Sequence, residues 1–81
     1  IQLMEVHVLT FEMADEGHRL EIHGDKEGLL KLAKYLTDLA NKNESEHIHL
    51  MTEDWGGNEL DNEKQGLENE LINHVKVFSW D

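Results

Sequence analysis

Cysteine is absent from this chain of 81 residues. That excludes a disulfide framework and thiol chemistry, and leaves any zinc site to histidine and carboxylate ligands. Positive charge is scarce too: seven Lys and Arg stand against eighteen Asp and Glu, for a formal net charge of -11. Phosphate backbones demand the opposite sign, so direct binding to nucleic acid or to an anionic membrane is not expected. No run approaches the roughly 18 apolar residues of a membrane span, and no basic leader precedes an apolar core. The expectation is a cytoplasmic protein. There is no phosphate-cradling glycine motif, no calcium loop of the right spacing and no HExxH, and no Ser-His-Asp or Cys-His set for nucleophilic catalysis. The length fits one small domain spanning residues 1–81.

What the chain does have is two patterned apolar stretches around a polar insert. Residues 3–11 are rich in strand formers. Val6 and Val8, joined by Met4, fall on one parity, and Leu3, Leu9 and Phe11 on the other, as in a central strand. Ala14-Asp15-Glu16-Gly17 reads as a turn, with Gly17 able to take a positive φ. Residues 18–23 alternate, Leu20 and Ile22 against Arg19, Glu21 and His23, so the two segments form a hairpin.

Asp25 is placed to cap a helix, with Glu27 adding favourable charge to its first turn. Leu29, Leu32, Ala33, Leu36, Leu39 and Ala40 recur at helical spacing, with Lys31, Lys34 and Asp38 mainly opposite. At about 1.5–3 kcal/mol per fully buried large apolar side chain, this stripe makes the helix the main cover of the sheet. Asn41 or Asn43 is expected to end it in a left-handed cap. Residues 47–52 form a third strand, with Ile48 and Leu50 inward and His47, His49 and Met51 outward. Its connection through the helix is long enough for a parallel pairing with the second strand. Residues 73–80 form the last strand: Val75 and Val77 share one parity, His74, Lys76, Phe78 and Trp80 the other. The predicted fold is a small α+β domain of order β-β-α-β-β, a four-stranded mixed or antiparallel sheet with one helix packed on one face. One helix cannot cover both faces, so part of the sheet is left to solvent or a partner.

Residues 53–70 carry seven Asp or Glu against one Lys, and hold Trp55-Gly56-Gly57. A long connection in so small a domain is functional or disordered, and a tryptophan beside two glycines favours a binding loop. Trp80, closing a strand, reads instead as a sheet-edge packing residue. Asp54, Glu59, Asp61, Glu63, Glu68 and Glu70 lack an evident frame to hold two carboxylates at a catalytic separation. Enzymatic activity is therefore not expected. The carboxylates serve better as a lure for Arg and Lys, since a strong negative field steers a basic partner. His47 and His49 lie on one strand face, roughly 6.5–7 Å apart. A third zinc ligand would have to come from His7, His23, His74 or Glu21. An interaction surface is the preferred reading of these rings, with a zinc site as its rival.

Three stretches together resemble small immunity proteins of bacterial polymorphic-toxin and contact-dependent competition systems. They are Leu20-Glu21-Ile22-His23-Gly24-Asp25 leading into the helix, His47-Ile48-His49-Leu50 followed by Trp55-Gly56-Gly57-Asn58-Glu59-Leu60, and Asn73-His74-Val75-Lys76-Val77. The resemblance implies a non-enzymatic protein, without a cofactor, that binds and neutralises a cognate toxin domain with a basic surface, typically a nuclease. Trp55, Gly56 and Gly57, with Asp54, Glu59 and Asp61, are then the expected toxin-binding residues. His47, His49 and His74 stand in second rank, on a face equally suited to homodimer formation. An acidic adaptor for some other basic protein and a small zinc-binding protein are the alternatives.

Overall fold

The computed structural model describes residues 7–81; the expected strand positions Leu3, Met4 and Val6 lie outside them. The elements run β1 (Leu9–Ala14), β2 (Arg19–Gly24), α1 (Lys26–Ala40), β3 (Glu46–Met51), β4 (Glu70–Ile72) and β5 (His74–Ser79). The architecture is α+β with every strand pair antiparallel, in a three-stranded sheet ordered β2-β1-β4 and a two-stranded ribbon β3-β5. The parallel pairing of the second and third strands does not form. The last stretch of chain enters between β1 and β3 and takes the edge of each in turn.

Asn73 is the point of transfer. Residues 70–72, which precede the expected start of the last strand at 73, pair with β1, and from His74 onward the same run pairs with β3. Buried Thr52 fixes the step: its backbone N–H donates to the Asn73 carbonyl at 3.0 Å and its hydroxyl to Asn73 Oδ1 at 2.8 Å.

β1 is central in its sheet, between β2 and β4, but it starts only at Leu9, so Val8 falls before it and the face opposite Leu9 and Phe11 carries Thr10, Glu12 and Ala14. Leu9 and Phe11 join Leu50 and Leu60 in the core, with Leu32, Tyr35, Ile48, Ile72, Val75 and Val77 packed around them. The hairpin to β2 turns through Asp15, Glu16 and Gly17, all at positive φ. Asp25 caps α1 as expected, accepting from the Gly28 N–H at 2.7 Å, and that hydrogen bond holds its carboxyl below the usual range. The buried face of the helix, however, is Gly28, Leu32, Tyr35 and Leu39, while Leu29 and Leu36 sit at its exposed margin. The face is rotated because Gly28, lacking a side chain, lets the helix press onto the Val8 carbonyl. Neither Asn41 nor Asn43 adopts a left-handed cap. Asn41 stays right-handed and donates to the Thr37 carbonyl at 3.0 Å, so the helix ends by unwinding.

The acidic insert, read as unframed, is framed by a carboxylate. Glu12 lies on the β1 parity opposite Leu9 and Phe11 and is fully buried. It accepts from the backbone N–H groups of Gln65 (2.8 Å) and Gly66 (3.0 Å), from Asn69 Nδ2 (2.9 Å) and from the Thr10 hydroxyl. Leu60 inserts into the core, its neighbour Asp61 donates a backbone bond to the Leu9 carbonyl at 2.9 Å, and a parallel bridge joins Thr52 to Leu60. The insert thus covers β1 on its second face, while the outer side of the β3-β5 ribbon is open to solvent, and Leu20 and Ile22 on β2 are about half exposed as well.

Candidate binding surface

Strand alternation sends Ile48, Leu50, Val75 and Val77 into the core and turns the intervening side chains of β3 and β5 outward. The register sets His47 opposite Phe78, His49 opposite Lys76 and Met51 opposite His74. The outward rings form one continuous series. Trp55 lies 6.5 Å from His74; His74 stacks on His49 at 5.0 Å; His49 meets His47 edge-on at 5.0 Å; His47 lies 5.6 Å from Phe78; and Phe78 stacks on Trp80 at 5.8 Å. Lys76 Nζ stands 5.0 Å over the Phe78 ring, a cation–π contact.

Trp55 reaches the series from a short 3₁₀ turn, Glu53–Trp55, just after β3. Its two glycines are needed for the backbone. Gly56 has φ 91°, and a side chain at Gly57 would collide with the Met51 carbonyl. The indole is 59% exposed. Beside it lies a hollow of about 390 Å³ whose walls include Met13, Ile72 and His74.

The two nitrogens His49 Nδ1 and His74 Nε2 are 2.8 Å apart, one donating to the other. Desolvation, then the neighbouring His47, His74 and Lys76, lowers the pKa of His49. His49 is thereby biased toward its neutral form.

The predicted residues separate into two groups. Trp55, His47, His49 and His74 are brought together on one face. The acids are unequal: Asp54 is exposed, whereas Glu59 and Asp61 are half-buried. Glu59 accepts the Met51 N–H at 3.0 Å, and Asn62 Oδ1 holds the Asp54 N–H at 2.9 Å, so both contacts build the loop. Trp80, expected to pack at a sheet edge, is 79% exposed and extends the stripe through Phe78. Phe78 and Trp80 were legible in principle, since they share the parity of His74.

Glu21, His23 and His7 are held in contacts away from this face. Glu21 bonds His23 Nε2 at 2.9 Å and Arg19 Nε at 2.9 Å, on the insert side of the sheet. His7 faces the Glu59 carbonyl at 3.4 Å. Of the four suggested partners for His47 and His49, His74 alone stands beside them. Among the described residues no three His, Asp or Glu converge as a metal cage, and no helix is long and apolar enough to cross a membrane.

Fold and surface together define a small antiparallel α+β domain with one aromatic, imidazole-rich sheet face in a strongly acidic chain. The chain belongs to the Immunity protein 32 family, whose model matches residues 19–75, from the start of β2 into β5. The matched span holds Trp55 and all three stripe histidines; Phe78 and Trp80 follow it. Comparison with curated proteins and with solved structures returns no match.

Proposed function

We propose that this protein binds a cognate bacterial toxin domain through the outer face of the β3-β5 ribbon and so neutralises it inside the producing cell. The observation that carries the reading is the unbroken ring series from Trp55 to Trp80, most of it open to solvent. Exposed contiguous apolar surface of this kind marks interaction sites, and Trp is enriched among residues that dominate binding energy. Trp55, steadied by Gly56 and Gly57 beside the hollow, is the anchor. His49 and His74 continue the contact surface, and His47 links it to Phe78.

Charge selects the partner. A net charge of -11 favours a toxin with a basic surface, as the substrate cleft of a nuclease has, and accelerates encounter with it. Asp54 is the exposed acid beside the anchor; Glu59 and Asp61 flank it while bracing the loop. Inhibition follows if the ribbon lies across the cleft or an adjoining exosite, with no chemistry required of the immunity protein.

The test is to co-purify the protein with the toxin domain encoded beside its gene. A stoichiometric complex that suppresses the toxin's nuclease activity supports the proposal. Purified partners that stay separate on a sizing column at low salt would refute it.

A further inference from the structure

We infer that His49 and His74 form a two-imidazole clip for a divalent transition cation, with Zn²⁺ as the ion it fits, at the centre of the aromatic face. The inference does not depend on toxin binding.

The clip is set by the backbone. His49 comes from β3 and His74 from the start of β5, on antiparallel strands whose register places the two diagonally. Their rings are nearly parallel, at 26°, and the ring atoms that approach are both nitrogens, Nδ1 of one and Nε2 of the other, 2.8 Å apart. Zinc–imidazole bonds of roughly 2.0–2.1 Å in a tetrahedral site place neighbouring nitrogens about 3.3–3.4 Å from each other. A ring rotation that opens the pair by about half an ångström thus converts the N–H···N contact into two metal bonds. Trp55 on one side and His47 on the other limit how far the rings can turn away.

The proton is accounted for. In the neutral pair one facing nitrogen carries a hydrogen and the other accepts it. When that imidazole moves its proton to its second ring nitrogen, both facing nitrogens present lone pairs, and a cation enters with no net proton released. Imidazole suits zinc, copper and nickel and is a poor match for Mg²⁺ or Ca²⁺. Among the described residues no third His, Asp or Glu converges on the pair, so water would complete the shell. His23 offers no comparable site, because its Nε2 is bonded to Glu21 and lies 3.9 Å from Glu12.

The experiment titrates Zn²⁺ alone into the intact protein, following heat by calorimetry and the six histidine rings by NMR. The expected result is one site of micromolar affinity, with the ring signals of His49 and His74 moving first. Either His49→Phe or His74→Phe should weaken binding by about tenfold or more, while His18→Gln on the hairpin turn and a Mg²⁺ titration change nothing. Both clip positions are exposed, so circular dichroism should show the variants folded, and the wild-type ring shifts stand without them. No saturable heat below millimolar Zn²⁺, or binding that survives both clip substitutions, would overturn the inference.

Discussion

The buried carboxylate of Glu12 and the backbone N–H of Gln65 lie 2.8 Å apart across 53 positions of sequence. With Gly66 and Asn69, this contact turns the acidic insert into a fixed cover of β1. Replacing Glu12 by Ala strips several donors of their acceptor at once. Such losses cost about 1–3 kcal/mol per unsatisfied group, so urea denaturation should show a destabilisation of about 3 kcal/mol or more. A change under about 0.5 kcal/mol, the range of ordinary surface substitutions, would mean that the insert is not held this way.

The same carboxylate sets an acid limit. Burial pushes its pKa up, but the N–H groups of Gln65 and Gly66, the Thr10 hydroxyl and the Asn69 amide outweigh that and lower it from 4.5 to about 2. A folded-state pKa below the unfolded value contributes stability that is present above about 4.5 and lost as pH falls toward 2. The interval corresponds to about 3 kcal/mol. Glu21 and Asp25, lowered by their own hydrogen bonds, act in the same direction. Denaturation midpoints followed from neutral pH to pH 2 should fall through this window, and Glu12→Gln should flatten the fall. An unchanged slope in that variant would contradict the assignment.

Asp25 provides a smaller, local test. Its carboxylate satisfies the Gly28 N–H at the start of α1, and loss of such a cap costs about 1 kcal/mol. Asp25→Ala should lower stability by that amount, read from the denaturation midpoint, while Asp25→Asn recovers most of it. Equal losses in both variants would point to charge rather than capping.

Trp80 separates surface from packing. At 79% exposure, Trp80→Ala should leave folding stability within about 0.5 kcal/mol of wild type, yet weaken any partner that uses the far end of the stripe. A loss of 2 kcal/mol or so on thermal unfolding would restore the packing role that its place at a strand end suggests.

Much of this was legible in the chain. Asp25 declared the helix start, and the alternation of 47–52 and 73–80 put His47, His49 and His74 on the outer parity. Periodicity could not say that the two outer faces belong to paired strands, because strand order depends on contacts remote in sequence. That is why the sequence puts Phe78 and Trp80 on the parity of His74 without joining them to His47 and His49, and why it leaves a pairing of the second and third strands open. Glu12 was invisible for a related reason. It falls past the end of the strand expected over residues 3–11, and its partners lie in a loop with no periodicity of its own. Gly28 rotated the buried face of α1 through a close contact with Val8 that a leucine count does not register.

The most direct test of the central claim is the kinetics of the toxin complex with Trp55→Ala. If Trp55 is the anchor of the face, dissociation should accelerate by about thirtyfold, the equivalent of 2 kcal/mol at a dominant contact. The association rate should change little. Asp54→Asn in the same assay should instead slow association and reduce its dependence on salt. Rates within about twofold of wild type for both variants would show that the toxin binds elsewhere on the molecule.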